Sequence, residues 1–370
     1  MPKLHRLIAL IVKELQLAFR EPDSRRLLIM PVLLQLALFP FAATLEVRNA
    51  TLAVFNQDRG AASNELVQRL TATQAFPNQL RVSSERELKS AIDEQRALLG
   101  VWIPEDFSRA IGSGRTAQVL AIPDGRRSNS AQIALGYAQS IVQTYAVELA
   151  RSAGRTPPSE VVVRNWFNPN LEYRWFLLPS RVAIITTIGS LIVTAMSVAR
   201  EREQGTFEQL LVSPLTPGMI MVGKTVPAVL VALGQATVIV LASVFLYHVP
   251  FRGSVVLLYL SMLCYALSLA GFGLFISSLC ETQQQAFLGV FTFMVPAVML
   301  SGFVAPVENM PQWLQWVSWV DPLRHFIVIV KGLFLKGFDA PLVWANLWPL
   351  LLISVATMSL GYWMFRRRIA

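Results

Sequence analysis

Six stretches of this sequence are apolar for about the length that crosses a bilayer: residues 27–45, 176–198, 219–247, 255–279, 286–305 and 343–365. In hydrocarbon every backbone N–H and C=O must be satisfied within the chain, so each such stretch is expected to be a helix. The first, "LLIMPVLLQLALFPFAATL", covers roughly 28 Å at a rise of about 1.5 Å per residue, one hydrocarbon thickness. The chain is 54% hydrophobic and only 15% charged, where a soluble chain carries about 25% charged residues. The expected class is therefore an α-helical polytopic membrane protein with six transmembrane helices. Lys3, Arg6, Lys13, Arg20, Arg25 and Arg26 precede the first block, and "FRRRIA" closes the chain. The positive-inside rule puts both ends in the cytoplasm, and an even number of spans agrees with that. A cleaved signal peptide fits poorly. The apolar part is too long, and Phe41 stands where cleavage after Ala43 would want a small residue.

Residues 1–26 contain "LHRLIALIVKELQLAFR", in which Leu4, Ile8, Ile11, Leu15 and Phe19 share one helical face opposite Arg6, Lys13 and Arg20. This describes an amphipathic helix lying in the membrane surface. Residues 46–175 differ in kind. "ATLAVFN", "ALLGVWI" and "AQVLAI" carry strand signals, "SNELVQRL" is helical, and Ser84 with Glu87 makes a capping box. Ala134, Ala138, Ile141, Tyr145 and Leu149 then recur at helical spacing. Alternating strands and helices predict an α/β domain inserted after the first span, hence outside the cell membrane. Residues 176–370 hold the other five spans. Near 306–342 the run 325–335 is too short to cross and is interrupted by Lys331, which predicts one or two short interfacial or re-entrant helices on the outer side, with tryptophans at the lipid–water boundary.

The net charge of +9 does not indicate nucleic acid, because the arginines flank apolar blocks or mix with acids instead of forming a basic groove with interleaved aromatics. Cys264 and Cys280 lie on one predicted helix, roughly 24 Å apart at about 1.5 Å per residue, and are packing residues that cannot pair there. His5, His248 and His325 are scattered, so no catalytic or metal constellation is expected. "GMIMVGKT" at 218–225 satisfies the pattern of a nucleotide-binding P-loop. Such a loop needs a strand before it and a soluble helix after it. Here two prolines precede it and a lipid-length block follows, so the match is accidental, Lys224 is read as a lysine snorkelling at the end of the third span, and no cofactor is expected on this chain. The span centres carry no ionisable groups, which argues against an ion-coupled carrier. A non-transporting receptor or assembly scaffold with an outer sensing domain is the alternative; it lacks a cytoplasmic output module of adequate size.

Between the second and third spans stands "AREREQGTFEQLLVSPLTP", residues 199–217. Phe207, Leu210 and Leu211 form an apolar patch at i, i+3 and i+4, and Pro214 and Pro217 end the helix. Such a helix near 200–214 suits the transmission of force from a soluble partner. It equally suits a positive-inside turn resting on headgroups. The stretch resembles the hallmark of ABC-2 type permeases, the membrane subunits of a class of ABC exporters: Arg202-Glu203, Gly205-Thr206 and Leu210 to Pro214. "KELQLAFREP", the "GK" opening the third span and "SGFVAPVENMPQWLQWVSWVDPLRHF" resemble the family's other landmarks, so the likeness covers nearly the whole chain, and the large domain after the first span points to the drug-export-like branch. The resemblance implies a subunit of the bacterial inner membrane without ATPase activity of its own. A separate cytoplasmic ABC ATPase would hold ATP and Mg, and a second permease subunit, identical or paired, would complete the membrane part. It further implies that Arg202, Glu203, Gly205, Thr206, Phe207, Leu210 and Leu211 couple to the ATPase, and that spans two and five line an export path for hydrophobic or amphipathic molecules. Thr186, Ser190 and Thr194 on span two, and Phe287 and Phe291 on span five, are the candidates there. Close helix packing is the favoured account of the small polar stripe, and core or lipid packing explains the aromatics equally well.

Overall fold

The computed structural model describes residues 2–38, 47, 49–154, 167–168, 172–212 and 214–369; for residues 2, 3, 23, 128, 129, 208, 210, 211, 368 and 369 it describes the backbone alone. The chain divides into two units, Met1–Ala43 with Asn165–Ala370, and Thr44–Arg164.

The helical unit opens with α1 (Pro2–Arg20) and α2 (Pro22–Ala37), separated at Glu21 with Pro22 at the first helical position. It continues with α7 (Tyr173–Glu203), the short α8 (Phe207–Val212), α9 (Pro217–Leu241), α10 (Val255–Leu279), α11 (Gln283–Leu300), α12 (Gln312–Trp319), α13 (Pro322–Lys331) and α14 (Ala340–Ile369). Among the described residues five helices are long and apolar enough to cross a membrane: α7, α9 with its π-helical extension to Leu246, α10, α11 and α14. The first apolar block is described only to residue 38, so residues 39–45 lie outside the described residues.

Helix α7 is the hub. In its apolar window 89% of the residues are buried, and it packs on α2, α9, α10, α11 and α13. The polar groups this buries are satisfied locally. Thr187 Oγ1 lies 2.6 Å from the Tyr265 hydroxyl, and Tyr265 stacks on Phe326 at 4.4 Å, which ties α7, α10 and α13 together. Helices α10 and α14 approach closely at Gly271 and Gly361; a Cβ on Gly271 would stand 2.6 Å from the Met358 backbone nitrogen. Small residues at such crossings let backbones meet in lipid. The segment expected to hold interfacial or re-entrant helices forms two. Helix α12 exposes Trp313 and Trp316, whereas α13 buries Leu323, Phe326, Ile329 and Val330 in the bundle.

The second unit is α/β. Its sheet has the order β2-β1-β3-β4, built from β1 (Thr51–Asn56), β2 (Asn78–Arg81), β3 (Leu99–Ile103) and β4 (Leu120–Pro123). The β1 pairings with β2 and β3 are parallel, and β3 pairs with β4 antiparallel. Alternation along β1 assigns the faces. Leu52 and Val54 join the core under α3 (Ala61–Thr71), α5 (Phe107–Gly112) and α6 (Ser128–Ser152), whereas Ala53 and Phe55 pack under α4 (Glu85–Asp93). Ser84 caps α4 by accepting from the Glu87 N–H at 3.2 Å. The reciprocal half of the expected capping box shifts by one residue, since the Glu87 carboxylate accepts from the Ser83 N–H and hydroxyl, each at 2.8 Å. Strand β2 carries the sequence Asn-Gln-Leu-Arg, too polar and too short for a sequence pattern to mark it as a strand.

Candidate coupling site

Helix α7 runs five residues past the end of its apolar block, so Arg200–Glu203 belong to its last turn and not to the short helix that follows. It stops at Gln204 in a Schellman motif. Gly205 takes φ +68°, its N–H donates to the Arg202 carbonyl at 3.0 Å, and the Thr206 N–H donates to the Glu201 carbonyl at 2.9 Å. Left-handed backbone at this position is what glycine permits without a Cβ clash. The chain is thereby turned into α8. Thr216 then caps α9 by accepting from the Met219 N–H at 3.4 Å, with Pro217 at the first helical position.

The last turn of α7 is tied into the rest of its unit by each of its charged residues. Arg200, buried, sits 2.8 Å from the Glu21 carboxylate and donates to the Ser24 hydroxyl at 2.7 Å and to Gln283 Oε1 at 3.3 Å. Arg202 donates to the carbonyls of Ser278 and Cys280, at 3.0 and 3.2 Å, and its guanidinium lies 5.0 Å from the Phe207 ring centre. Those carbonyls close α10. Glu203 accepts from the Gln283 N–H at 3.0 Å, at the start of α11. One helical turn therefore holds the α1–α2 corner, the end of α10 and the beginning of α11.

Phe207 is half-buried and meets Phe365 of α14 edge-to-face at 6.3 Å, in a small cluster with Leu10, Val198, Ile220 and Leu274. The side chains of Leu210 and Leu211 lie outside the described residues. Val212, at 88% exposure, is the most exposed large apolar residue among the described residues of the unit, and Gln209 is exposed too. Sequence reasoning passed over Val212 because it falls outside the i, i+3, i+4 pattern.

Residues 218–225, the P-loop look-alike, are helical throughout and lie inside α9. Lys224 does not snorkel. Its side chain is 0% exposed, with Nζ 2.9 Å from Glu14 Oε1 and 2.9 Å from Glu201 Oε2. The ammonium has three protons, and they are taken by Glu14, the Ser197 hydroxyl at 2.9 Å and the Ser197 carbonyl at 3.4 Å. Glu201 Oε2 is thus close to the cation without an aligned hydrogen bond. Ser197 also donates to Glu14 Oε2 at 3.1 Å, and Lys13 reaches Glu201 Oε1 at 3.3 Å. A buried charge persists only when it is paired and hydrogen-bonded. Periodicity gave Lys224 a solvent-seeking role because the acids that receive it are 210 and 23 residues away in sequence. The expected apolar face of α1 is largely open, with Leu4, Ile8 and Phe19 exposed, while Leu10, Glu14 and Ala18 face the bundle. Gly223 lets α1 come close, since a Cβ there would run into the Leu10 side chain.

The five residues expected along a path fall into two settings. Thr186, Ser190 and Thr194 are fully buried; Thr186 and Thr194 donate back to the α7 carbonyls of Val182 and Ser190, each at 2.7 Å, and Ser190 donates to the Ala266 carbonyl of α10 at 2.8 Å, so the stripe is closed within this chain. Phe287 is half-buried and packs on Phe291 at 4.8 Å. Phe291 is exposed in a row with Leu288, Val295 and Met299 along one side of α11.

A family model described as "ABC-2 family transporter protein" matches residues 27–363. The chain is 55% identical over 365 residues, 99% of each chain, to "Probable multidrug ABC transporter permease YbhR" of Escherichia coli (strain K12). It is 30% identical to "Probable multidrug ABC transporter permease YbhS" of the same organism, over 98% of this chain and 97% of that one. It is 28% identical to "Inner membrane transport permease YhhJ" of that strain, over 86% of each.

Proposed function

The chain belongs to the ABC-2 transporter family and is a transporter permease subunit, and from that premise we propose that it forms the membrane part of an ATP-driven exporter of hydrophobic or amphipathic molecules, drugs among them. ATP and Mg are held by a separate cytoplasmic ATPase, and a second permease subunit completes the path. In this reading the chain has six spans, with the block at 27–45 as the first. Both termini are cytoplasmic and the α/β unit is extracytoplasmic.

One observation carries the reading: the turn that α8 follows is tied to α1, α2, α9, α10 and α11. The ATPase meets the outward residues Gln209 and Val212 together with Leu210 and Leu211. A push on α8 reaches Arg202 through the Phe207 ring, and Arg202 and Glu203 pass it to the end of α10 and the start of α11. Gly205 and Thr206 set the angle at which the push arrives. The Glu14–Lys224–Glu201 cluster makes α1 and α9 follow the same movement of α7. Phe287 and Phe291 meet the path from the open side of α11. Thr186, Ser190 and Thr194 reach it only when α7 parts from α10 during the cycle.

The test is co-purification of the tagged chain with its ATPase from membranes, followed by reconstitution and ATP-dependent export of hydrophobic dyes. The purified chain alone should not hydrolyse ATP. Purification with no ATPase under conditions that preserve assemblies, or hydrolysis by the chain alone, would sink the proposal.

A further inference from the structure

Between α1, α2 and α9 lies an open trough of about 460 Å³, within the range of roughly 300–1,000 Å³ for sites that hold a single molecule. Leu15 and Phe19 of α1, Ile29 and Leu33 of α2, and Leu230 and Val238 of α9 form its walls. Phe19, Ile29, Leu33, Leu230 and Val238 are all exposed in the chain. Gly234 lies in the floor, and a Cβ added there would meet nothing within 4 Å. Glycine weakens a helix interior, and no neighbour among the described residues uses the room it leaves.

The trough has a charged mouth. Arg25, Ile29 and Leu33 fall at i, i+4 and i+8, so Arg25 stands on the trough's side of α2, one turn before the first wall residue. Arg20 directly follows the wall residue Phe19. Both arginines are exposed, and neither has an ion-pair partner among the described residues. Of the two acids between them, Glu21 is taken by Arg200 and Ser24, each at 2.8 Å, and the side chain of Asp23 lies outside the described residues.

We propose that this trough is a binding site for one anionic phospholipid of the surrounding membrane, with an acyl chain along α2 and α9 and the headgroup phosphate at Arg25 and Arg20. Almost wholly apolar walls exclude a polar ligand, and guanidinium pairs with phosphate in a forked geometry. Basic residues at the cytoplasmic ends of membrane helices select anionic headgroups. The inference rests on the reading of α2 and α9 as lipid-embedded helices with α1 at the cytoplasmic surface. The bound lipid would then lie beside the elbow that carries Glu14, and would join α1 to α9 from the lipid side as Lys224 joins them from within.

The test uses the full chain in mild detergent, titrated with phosphatidylglycerol or phosphatidylcholine, with retained lipid counted by native mass spectrometry. One phosphatidylglycerol should be held per chain in preference to phosphatidylcholine. Arg25→Gln should weaken phosphatidylglycerol retention about fivefold, the effect of one basic residue at a lipid surface, and leave phosphatidylcholine unchanged. Gly234→Leu should remove retention of both, while Gly234→Ala, eluting as the wild type, should keep most of it. Equal retention of the two lipids by the wild type, or full retention by Gly234→Leu, overturns the site. So does disulfide cross-linking between copies through Leu33→Cys, which would make the trough a seam between two chains. A chain that stays dispersed without detergent would sink the membrane reading itself.

Discussion

Replacing Lys224 with methionine keeps the length of the side chain and removes its charge. In the native cluster Nζ lies 2.9 Å from both Glu14 Oε1 and Glu201 Oε2, and the two carboxylate side chains are 7% and 5% exposed. The substitution leaves Glu14 with the Ser197 hydroxyl alone, at 3.1 Å. Glu201 keeps Lys13 at 3.3 Å, but the Lys13 side chain is 51% exposed. Breaking a buried pair by removing one partner costs about 3–5 kcal/mol, because the remaining charge stays desolvated. An exposed pair is worth about 0–1 kcal/mol. Burial therefore ranks two lysines that touch the same acid: Lys224→Met should cost about 3–5 kcal/mol and Lys13→Met at most about 1 kcal/mol. Combining Lys224→Met with Glu14→Gln should recover much of the loss, since both uncompensated charges of that pair are then gone. The measurement is unfolding of the purified chain in mixed micelles by titration with a denaturing detergent, read by tryptophan fluorescence. Lys224→Met as stable as Lys13→Met would refute the argument. So would strict additivity in the double variant.

Gly205→Ala forces a Cβ into left-handed backbone at φ +68° and should cost about 1 kcal/mol in the same titration; no change would mean that α7 does not end in this turn. Val212→Asp should lower affinity for the ATPase by about 2 kcal/mol or more if this residue is an interface anchor, measured by co-purification, while Phe207→Ala should loosen α8 from Arg202 and Phe365 and uncouple hydrolysis from export. In the α/β unit burial pushes the Asp58 carboxyl up, but hydrogen bonds from Ser108 and Ser63 outweigh it and hold the group below its ordinary value of 3.8. A depressed carboxylate stabilises the fold above its unfolded pKa and stops doing so as pH falls through the folded one. The unit should therefore lose stability below about pH 3.8, and Asp58→Asn should flatten that acid limb when circular dichroism follows the melt. Both native cysteines are buried, so single cysteines at Glu105 and Gln209 can report sidedness: the first should label from outside intact cells, the second only after permeabilisation.

The helices of the membrane unit were legible because their apolar blocks are long, and hydrocarbon allows backbone one regular solution. Boundaries were less legible where polarity changes before the helix does. Arg200–Glu203 look like the start of a cytoplasmic helix, yet they end α7, because their partners at Glu21, Ser278, Cys280 and Gln283 come from other segments. Helical periodicity saw only one side of α1. It weighted the Leu4–Phe19 stripe and could not see that Glu14, a charged residue, is turned towards the bundle, since burial of an acid depends on a lysine far along the chain. In the α/β unit β1 and β3 were readable from their alternation, and β2 was not, being a polar edge strand specified by its neighbour β1.

The cluster around Lys224 also fixes an order of manufacture. A chain made from its N-terminus produces Glu14 first, Glu201 next and Lys224 last. Both anions are therefore already made when the cation arrives, and the lysine has partners as soon as α9 is made. The opposite order would leave an ammonium waiting at the edge of hydrocarbon for acids not yet synthesised. The first twenty residues are accordingly a wall of the bundle. A chain beginning after Arg20 would lack Glu14 beneath Lys224 and Leu10 over Gly223, and every later helix would assemble around a charge with one of its two anions missing.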